Sequence, residues 1–300
     1  MENGQSFWQR NYHVLRRLHS LTGIVPIGLF LIIHLTTNSS VMWGALNGRS
    51  HVGSAMGRGV ETFQEEVSWI NSLPLLLLIE IFGLWVPIAF HAILGVAFAL
   101  SGSNNVARYG FQGNKRYVLQ RLTGYIGFVF ILYHVATLRW GWEWLTPSDT
   151  AWSHYFATST LAAALKGDGG QWTMPGMIVS IGYFIGVTAL VFHFANGLLT
   201  ASITWGVLTT EKARRRWGYA CTAIGAAVML AGWSALLGFV VLVDYDEARA
   251  IEVEVVKRKY GAEYLEQIQR EYLHHPSLES AAIRRAADAP FPGPAPMIRE

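Results

Sequence analysis

Five apolar stretches dominate this chain, and each is long enough to cross a lipid bilayer as a helix. They cover about Leu18–Thr37, Leu73–Leu100, Leu119–Leu138, Met177–Val207 and Tyr219–Val243. A helical crossing needs roughly 20 residues. Helix is the required state, because an isolated strand facing lipid leaves its peptide groups unpaired. The second and fourth stretches exceed that length and are expected to tilt or to extend into water. Pro26, Pro74, Pro87 and Pro175 fall at span starts or at kinks. The expectation is an all-α integral membrane protein with five transmembrane helices. Charged residues make up 14% of the chain, where soluble domains carry roughly 25%, so lipid is the main solvent.

Composition also narrows the partners. A net charge of +3 with no basic run interleaved with aromatics gives no footprint for nucleic acid. The single cysteine, Cys221, lies in an apolar run. It permits no internal disulfide and no Cys-based metal or iron–sulfur site. The first apolar run lacks a small-residue cleavage site and contains His34, so it reads as a retained span. No long repeat, Gly-rich phosphate loop or nucleophile motif stands out.

Basic residues set the expected orientation. Arg10, Arg16 and Arg17 precede span one; Arg108, Lys115, Arg116 and Arg121 separate spans two and three; Lys212, Arg214, Arg215 and Arg216 separate spans four and five. The other two loops carry Glu61, Glu65 and Glu66, and Glu143, Asp149 and Asp168. The N-terminus is therefore expected in the cytosol. Trp140, Trp142 and Trp144 suit an interfacial belt at the outer end of span three. Residues 1–243 read as the transmembrane domain. Residues 244–300 read as a polar extension on the outer face of the membrane, an amphipathic helix to about Leu273 and then a disordered tail from Pro276.

His34, His91, His134 and His193 lie one in each of spans one to four. A polar residue at such depth is expensive and usually functional. One such histidine is as well explained by a hydrogen bond to a neighbouring helix, but four in separate spans point to ligation. Imidazole is a natural iron ligand. His34 precedes Asn38 and His134 precedes Arg139 by a few residues, which puts both near the outer surface. His91 follows Leu73, and His193 follows Pro175, by about 18 residues, roughly 25–27 Å inward. The depths pair His34 with His134 and His91 with His193, about 20 Å apart. Two separated pairs suit two bis-histidine haems in a four-helix bundle and cannot supply the convergent ligands of a bare metal site. Gly95 and Gly197 follow His91 and His193 by four residues, and Gly127 and Gly186 precede His134 and His193 by seven. Glycine on a ligand's face lets a flat macrocycle approach the backbone, although it also serves helix packing.

Glu80 precedes His91 by eleven residues, close to the same helical face and about 16 Å outward. A carboxyl there can move quinone protons, face a haem propionate or bond a neighbouring helix in protonated form. Glu65 and Glu66 read either as lining an outer quinone site or as a solvated loop face.

The run RRLHSLTGIVPIGLFLIIHL (16–35), the segment NSLPLLLLIEIFGLWVPIAFHAILG (71–95), LQRLTG (119–124) with YHV (133–135), and VFHFANGL (191–198) with TWG (204–206) resemble a known family. It is the single-subunit, five-helix, dihaem cytochrome b of bacterial succinate dehydrogenases and fumarate reductases. The resemblance covers about residues 8–243. It implies that His34, His91, His134 and His193 ligate two haems b, with His19 and Ser20 near the inner haem propionates. It implies partners as well: a flavoprotein subunit with covalent FAD and an iron–sulfur subunit, both on the cytosolic side of the bacterial cytoplasmic membrane. This chain would then carry electrons between the iron–sulfur subunit and a membrane quinone, menaquinone in the dihaem branch. Some fumarate reductases of this type carry a glutamate two residues before the fourth ligand. Here Val191 stands there, which favours succinate oxidation. The competing readings are the cytochrome b of a hydrogenase or formate dehydrogenase, whose motifs are not seen, and a non-haem transporter, which would show internal repeats and interrupted helices.

Overall fold

The computed structural model describes residues 6–47, 54–102, 106–149 and 151–273. Among them, five helical stretches are long and apolar enough to span a membrane, and no strand occurs. Ser6 opens α1 (Phe7–Ile24) with a capping box to Gln9. Only Val25 separates it from α2 (Pro26–Trp43), where Pro26 occupies the first turn and its missing N–H is not needed. The two form one rod from Phe7 to Leu46. The second span joins α4 (Leu76–Glu80) to α5 (Val86–Leu100) through a π-helical turn at Ile81–Trp85. The others are α6 (Gln112–Leu138), α8 (Met174–Thr204) and α9 (Glu211–Leu237), which ends in a π turn at Gly238–Leu242. The first, third and fifth spans start ahead of their apolar stretches, by 18 − 7 = 11, 119 − 112 = 7 and 219 − 211 = 8 residues, because backbone hydrogen bonding continues where hydropathy fades.

The helices alternate in direction, so two ends of the bundle differ. At the basic end lie the start of α1, the end of α5, the start of α6 and the end of α8. Trp8 packs on Phe98 there at 5.3 Å, and Trp205 Nε1 donates to Ser20 Oγ at 2.8 Å. The opposite end is capped. The loops read there from sequence contain α3 (Ala55–Asn71) and α7 (Ala157–Lys166), helices too short or too polar to register as spans. Two further helices, α10 (Tyr245–Tyr260) and α11 (Ala262–Leu273), follow the fifth span. The tail expected from Pro276 lies outside the described residues.

The densest apolar core is in this cap, not in the middle of the bundle. Val41, Val60, Phe63, Leu165, Phe239, Ile251 and Val255 meet where α3, α7 and α10 cover the ends of α2 and α9. Two polar devices fix α10. Arg258 binds Glu61 at 3.0 Å and Glu65 at 2.7 Å on α3. Glu252, fully buried, accepts from the backbone N–H groups of Thr158 and Ser159, so it satisfies orphan donors in the first turn of α7. Burial pushes the Glu252 carboxyl up from its ordinary range. On the bundle's outside, Leu77, Phe82, Ile93, Val129, Ile178 and Leu230 are exposed, as lipid-facing side chains are.

A paired-histidine site inside the bundle

The four intramembrane histidines meet in two pairs. The rings of His34 on α2 and His134 on α6 have centroids 5.8 Å apart and are inclined at 83°. Those of His91 on α5 and His193 on α8 are 6.1 Å apart at 85°. The first pair lies toward the capped end and the second toward the basic end. Among the described residues no three His, Cys, Asp or Glu side chains converge as a metal cluster would require.

The pair at the basic end is built twice from one local pattern. His91 Nδ1 lies 2.8 Å from the backbone oxygen of His19, and His193 Nδ1 lies 2.9 Å from that of Gln120. With Nδ1 as the donor, each ring keeps Nε2 free to ligate. Each ring also rests on a glycine of the helix opposite. A Cβ at Gly23 would stand 2.5 Å from His91 Cε1, and one at Gly124 would stand 3.0 Å from His193 Cε1. The two beds share the sequence L-x-x-L-T-G, Leu18–Gly23 and Leu119–Gly124, and both histidines start H-x-x-x-G. A Cβ at Gly95 would lie 3.1 Å from His19 Nε2, and one at Gly197 would lie 3.6 Å from Gln120 Nε2. A six-residue repeat of this kind escapes a search for long periods and emerges only when the helices are placed.

The glycines that meet the rings therefore stand across from the histidines, not on their own helices. Gly127 and Gly186 are read from sequence either as openings for a macrocycle or as packing positions. Their faces meet Leu190 and Phe130 respectively. Gly95 and Gly197 abut His19 and Gln120. The two pairs are also closer than depth counting implied. On α6, His134 follows Gly124, the bed of His193, by 134 − 124 = 10 residues, or about 15 Å of rise. Depth counting took Asn38 as the edge, whereas α2 runs on to Trp43.

His19 stacks on His91 with centroids 4.0 Å apart and planes at 18°, and its Nε2 is buried without a partner. Ser20 Oγ donates to Arg17 O at 2.9 Å and receives Trp205 Nε1, so it ties α1 to the end of α8. A π turn at Ile81–Trp85 lies between Glu80 and His91, and Glu80 binds Arg139, at the end of α6, at 2.7 Å. Val191 is buried with Leu35 and Val228 in an apolar cluster.

Several participants were missed from sequence. Tyr183 Oη lies 3.3 Å from His134 Nδ1. Gln120 Nε2 donates to His193 O at 3.1 Å. Asn196 Nδ2 donates to Gln120 Oε1 at 2.6 Å, and Arg116 Nε donates to Asn196 Oδ1 at 2.9 Å. A buried amide three residues after an intramembrane histidine was the available signal. At the capped end, Glu66 lies beside Thr37 and Ser40 of α2, with Glu66 Oε2 and Ser40 Oγ both buried and unpartnered. Burial raises the Glu66 carboxyl above its ordinary value of 4.5.

No protein-family model matches the chain. It is similar to the succinate dehydrogenase cytochrome b558 subunit of Bacillus subtilis (strain 168), with 33% identity over 230 residues, 75% of this chain and 96% of that protein. A bundle of five membrane-crossing helices with intramembrane histidines in pairs, matched over nearly the whole length of that relative, shows that this chain belongs to the succinate dehydrogenase cytochrome b subunits.

Proposed function

We propose that this chain is the membrane anchor of a succinate:quinone oxidoreductase and holds two haems b, one between His34 and His134 and one between His91 and His193. The observation that carries this reading is the grip on the rings at the basic end. Each Nδ1 is committed to a backbone carbonyl and each ring sets its Nδ1–Cε1 edge against a glycine, an arrangement that orients Nε2 for ligation. When bound, the haems supply one-electron transfer between an iron–sulfur subunit and the quinone. The experiment that tests it is a pyridine haemochrome assay on the purified protein, expected to give two haems per chain. One haem or none overturns it.

The N-terminus is placed in the cytosol, so that Arg16, Arg17, Arg116 and Arg214–Arg216 face the flavoprotein and iron–sulfur subunits at the basic end. FAD and the iron–sulfur clusters belong to those partners. His19 and Ser20 stand at the propionate side of the inner haem. The capped end then faces outward, and quinone chemistry belongs there. Two carboxyls are proposed for its protons. Glu66 has a buried, unpartnered oxygen on α3, and Glu80 is held by Arg139. A raised carboxyl such as Glu66 exchanges a proton nearer neutral pH. The apolar surroundings of Val191 offer no carboxyl at that position for carrying protons back through the bundle. This favours succinate oxidation, with menaquinone as the acceptor.

A further inference from the structure

We propose that Arg116, Asn196 and Gln120 form a positioning relay that conveys the charge of the basic end to His193 and tunes the inner haem. The inference rests on the reading of His91 and His193 as haem ligands.

The chain of donors has only one consistent direction. A guanidinium can donate but not accept. Arg116 Nε therefore requires Asn196 to present its oxygen, at 2.9 Å. Asn196 must then turn its amide nitrogen to Gln120 Oε1, at 2.6 Å. That leaves Gln120 Nε2 to donate to His193 O, at 3.1 Å, while Gln120 O receives His193 Nδ1, at 2.9 Å. Both amides are fixed by a cation about one helical turn nearer the basic end. Asn196 is only 3% exposed, so these bonds act where the dielectric is low and neighbouring bonds polarise one another.

The repeated pattern shows that the relay is not needed to hold a ring. On α1 and α5 the position of Gln120 is taken by His19, that of Arg116 by Leu15 and that of Asn196 by Leu94. Yet His91 keeps its carbonyl acceptor and its glycine bed. A buried network present in one copy and replaced by leucines in the other adds something besides grip. A positive charge coupled to an iron ligand disfavours the oxidised metal and so raises its midpoint potential.

The test is a potentiometric titration of the assembled complex, followed optically, with the low-spin haem resonances recorded in parallel. Arg116→Gln should lower the midpoint of one haem. At a fixed potential its oxidised-to-reduced ratio should rise about tenfold, or about 59 mV for a one-electron couple. Arg116→Lys, which keeps a charged donor, should recover most of the shift. Gln120→Met should lower the same haem, and Arg116→Gln added to it should change little further, because the route is already cut. Where Gln120→Met fails to assemble, Asn196→Leu, the residue found at the matching position 94, replaces it in the cycle. Additive shifts in the double variant, or two haems with unmoved midpoints, overturn the relay while the ligand assignment stands. A purified chain with no haem overturns both.

Discussion

Gly124 lies against the Nδ1–Cε1 edge of the His193 ring, close enough that an added Cβ would stand 3.0 Å from Cε1 and 3.3 Å from Nδ1. At Gly23 the corresponding approach to His91 Cε1 is 2.5 Å. Gly23→Ala must displace its ring, whereas Gly124→Ala needs a shift of only a few tenths of an ångström. We expect Gly23→Ala to lose one of two haems and Gly124→Ala to keep both with weaker retention, by about tenfold on the scale of disturbed ligand support. Gly113→Ala, which meets nothing within 4 Å, is the control. Haem content per chain reads all three, and full retention in Gly23→Ala would count against the cradle.

The ring pairings predict selective loss. His34→Ala and His134→Ala should remove the same haem, the one toward the capped end. His91→Ala and His193→Ala should remove the other and, lying near the basic end, should also weaken assembly with the iron–sulfur subunit. Redox difference spectra and subunit recovery check this. Loss of one haem by both His34→Ala and His193→Ala would show the pairing to be wrong.

The two carboxyls at the capped end can be separated in sealed vesicles. Glu66→Gln should cut succinate–quinone activity at least about tenfold, within the range of a lost proton-transfer group, because one oxygen of this half-buried carboxyl is shielded from solvent. Glu80→Gln should lower the same activity by less, and a fully active variant would remove Glu80 from the proton path; it also breaks the ion pair with Arg139, whose side chain is 53% exposed, at a cost of less than about 1 kcal/mol of stability. Moving a charge through the membrane potential is worth about 2.3 kcal/mol per 100 mV, so an uncoupler should slow menaquinone reduction by the wild type. Equal rates with and without it would argue against electron transfer across the membrane.

Docking of α10 should fail in acid. Burial alone would raise the Glu61 carboxyl, but the guanidinium groups of Arg58 and Arg258, at 2.9 and 3.0 Å, outweigh it and hold the carboxyl below its ordinary value of 4.5. A depressed carboxylate contributes stability that is complete above that value and is lost as pH falls through the folded one. Hydrogen exchange across residues 245–260 should therefore rise below about pH 4.5. Glu61→Gln should raise exchange at neutral pH and remove that acid step.

The spans were legible because lipid imposes a length and a polarity that local sequence cannot disguise. The pairing of the histidines was legible for the same reason, since depth is a count of residues. What counting could not supply is rotation. The π turn at Ile81–Trp85 hides inside an unbroken apolar run, next to Glu80, which binds Arg139. The glycine beds were sought on the ligand's own helix, where periodicity operates, and were found across the interface, where it does not. In the cap, α10 falls within the stretch expected as an amphipathic helix, whereas α3 and α7 lie in segments taken as loops, because neither has the length and hydropathy of a span.

At the basic end both rings are held by main-chain oxygens, those of residues 19 and 120. A carbonyl is supplied by whatever residue occupies the position, so the grip survives replacement of either side chain. One position carries a histidine stacked against its neighbour's ring and the other an amide wired to an arginine. A support written in the backbone leaves its side chains free to take on separate duties, and a duplicated socket can thereby acquire two unlike walls without loosening what it holds.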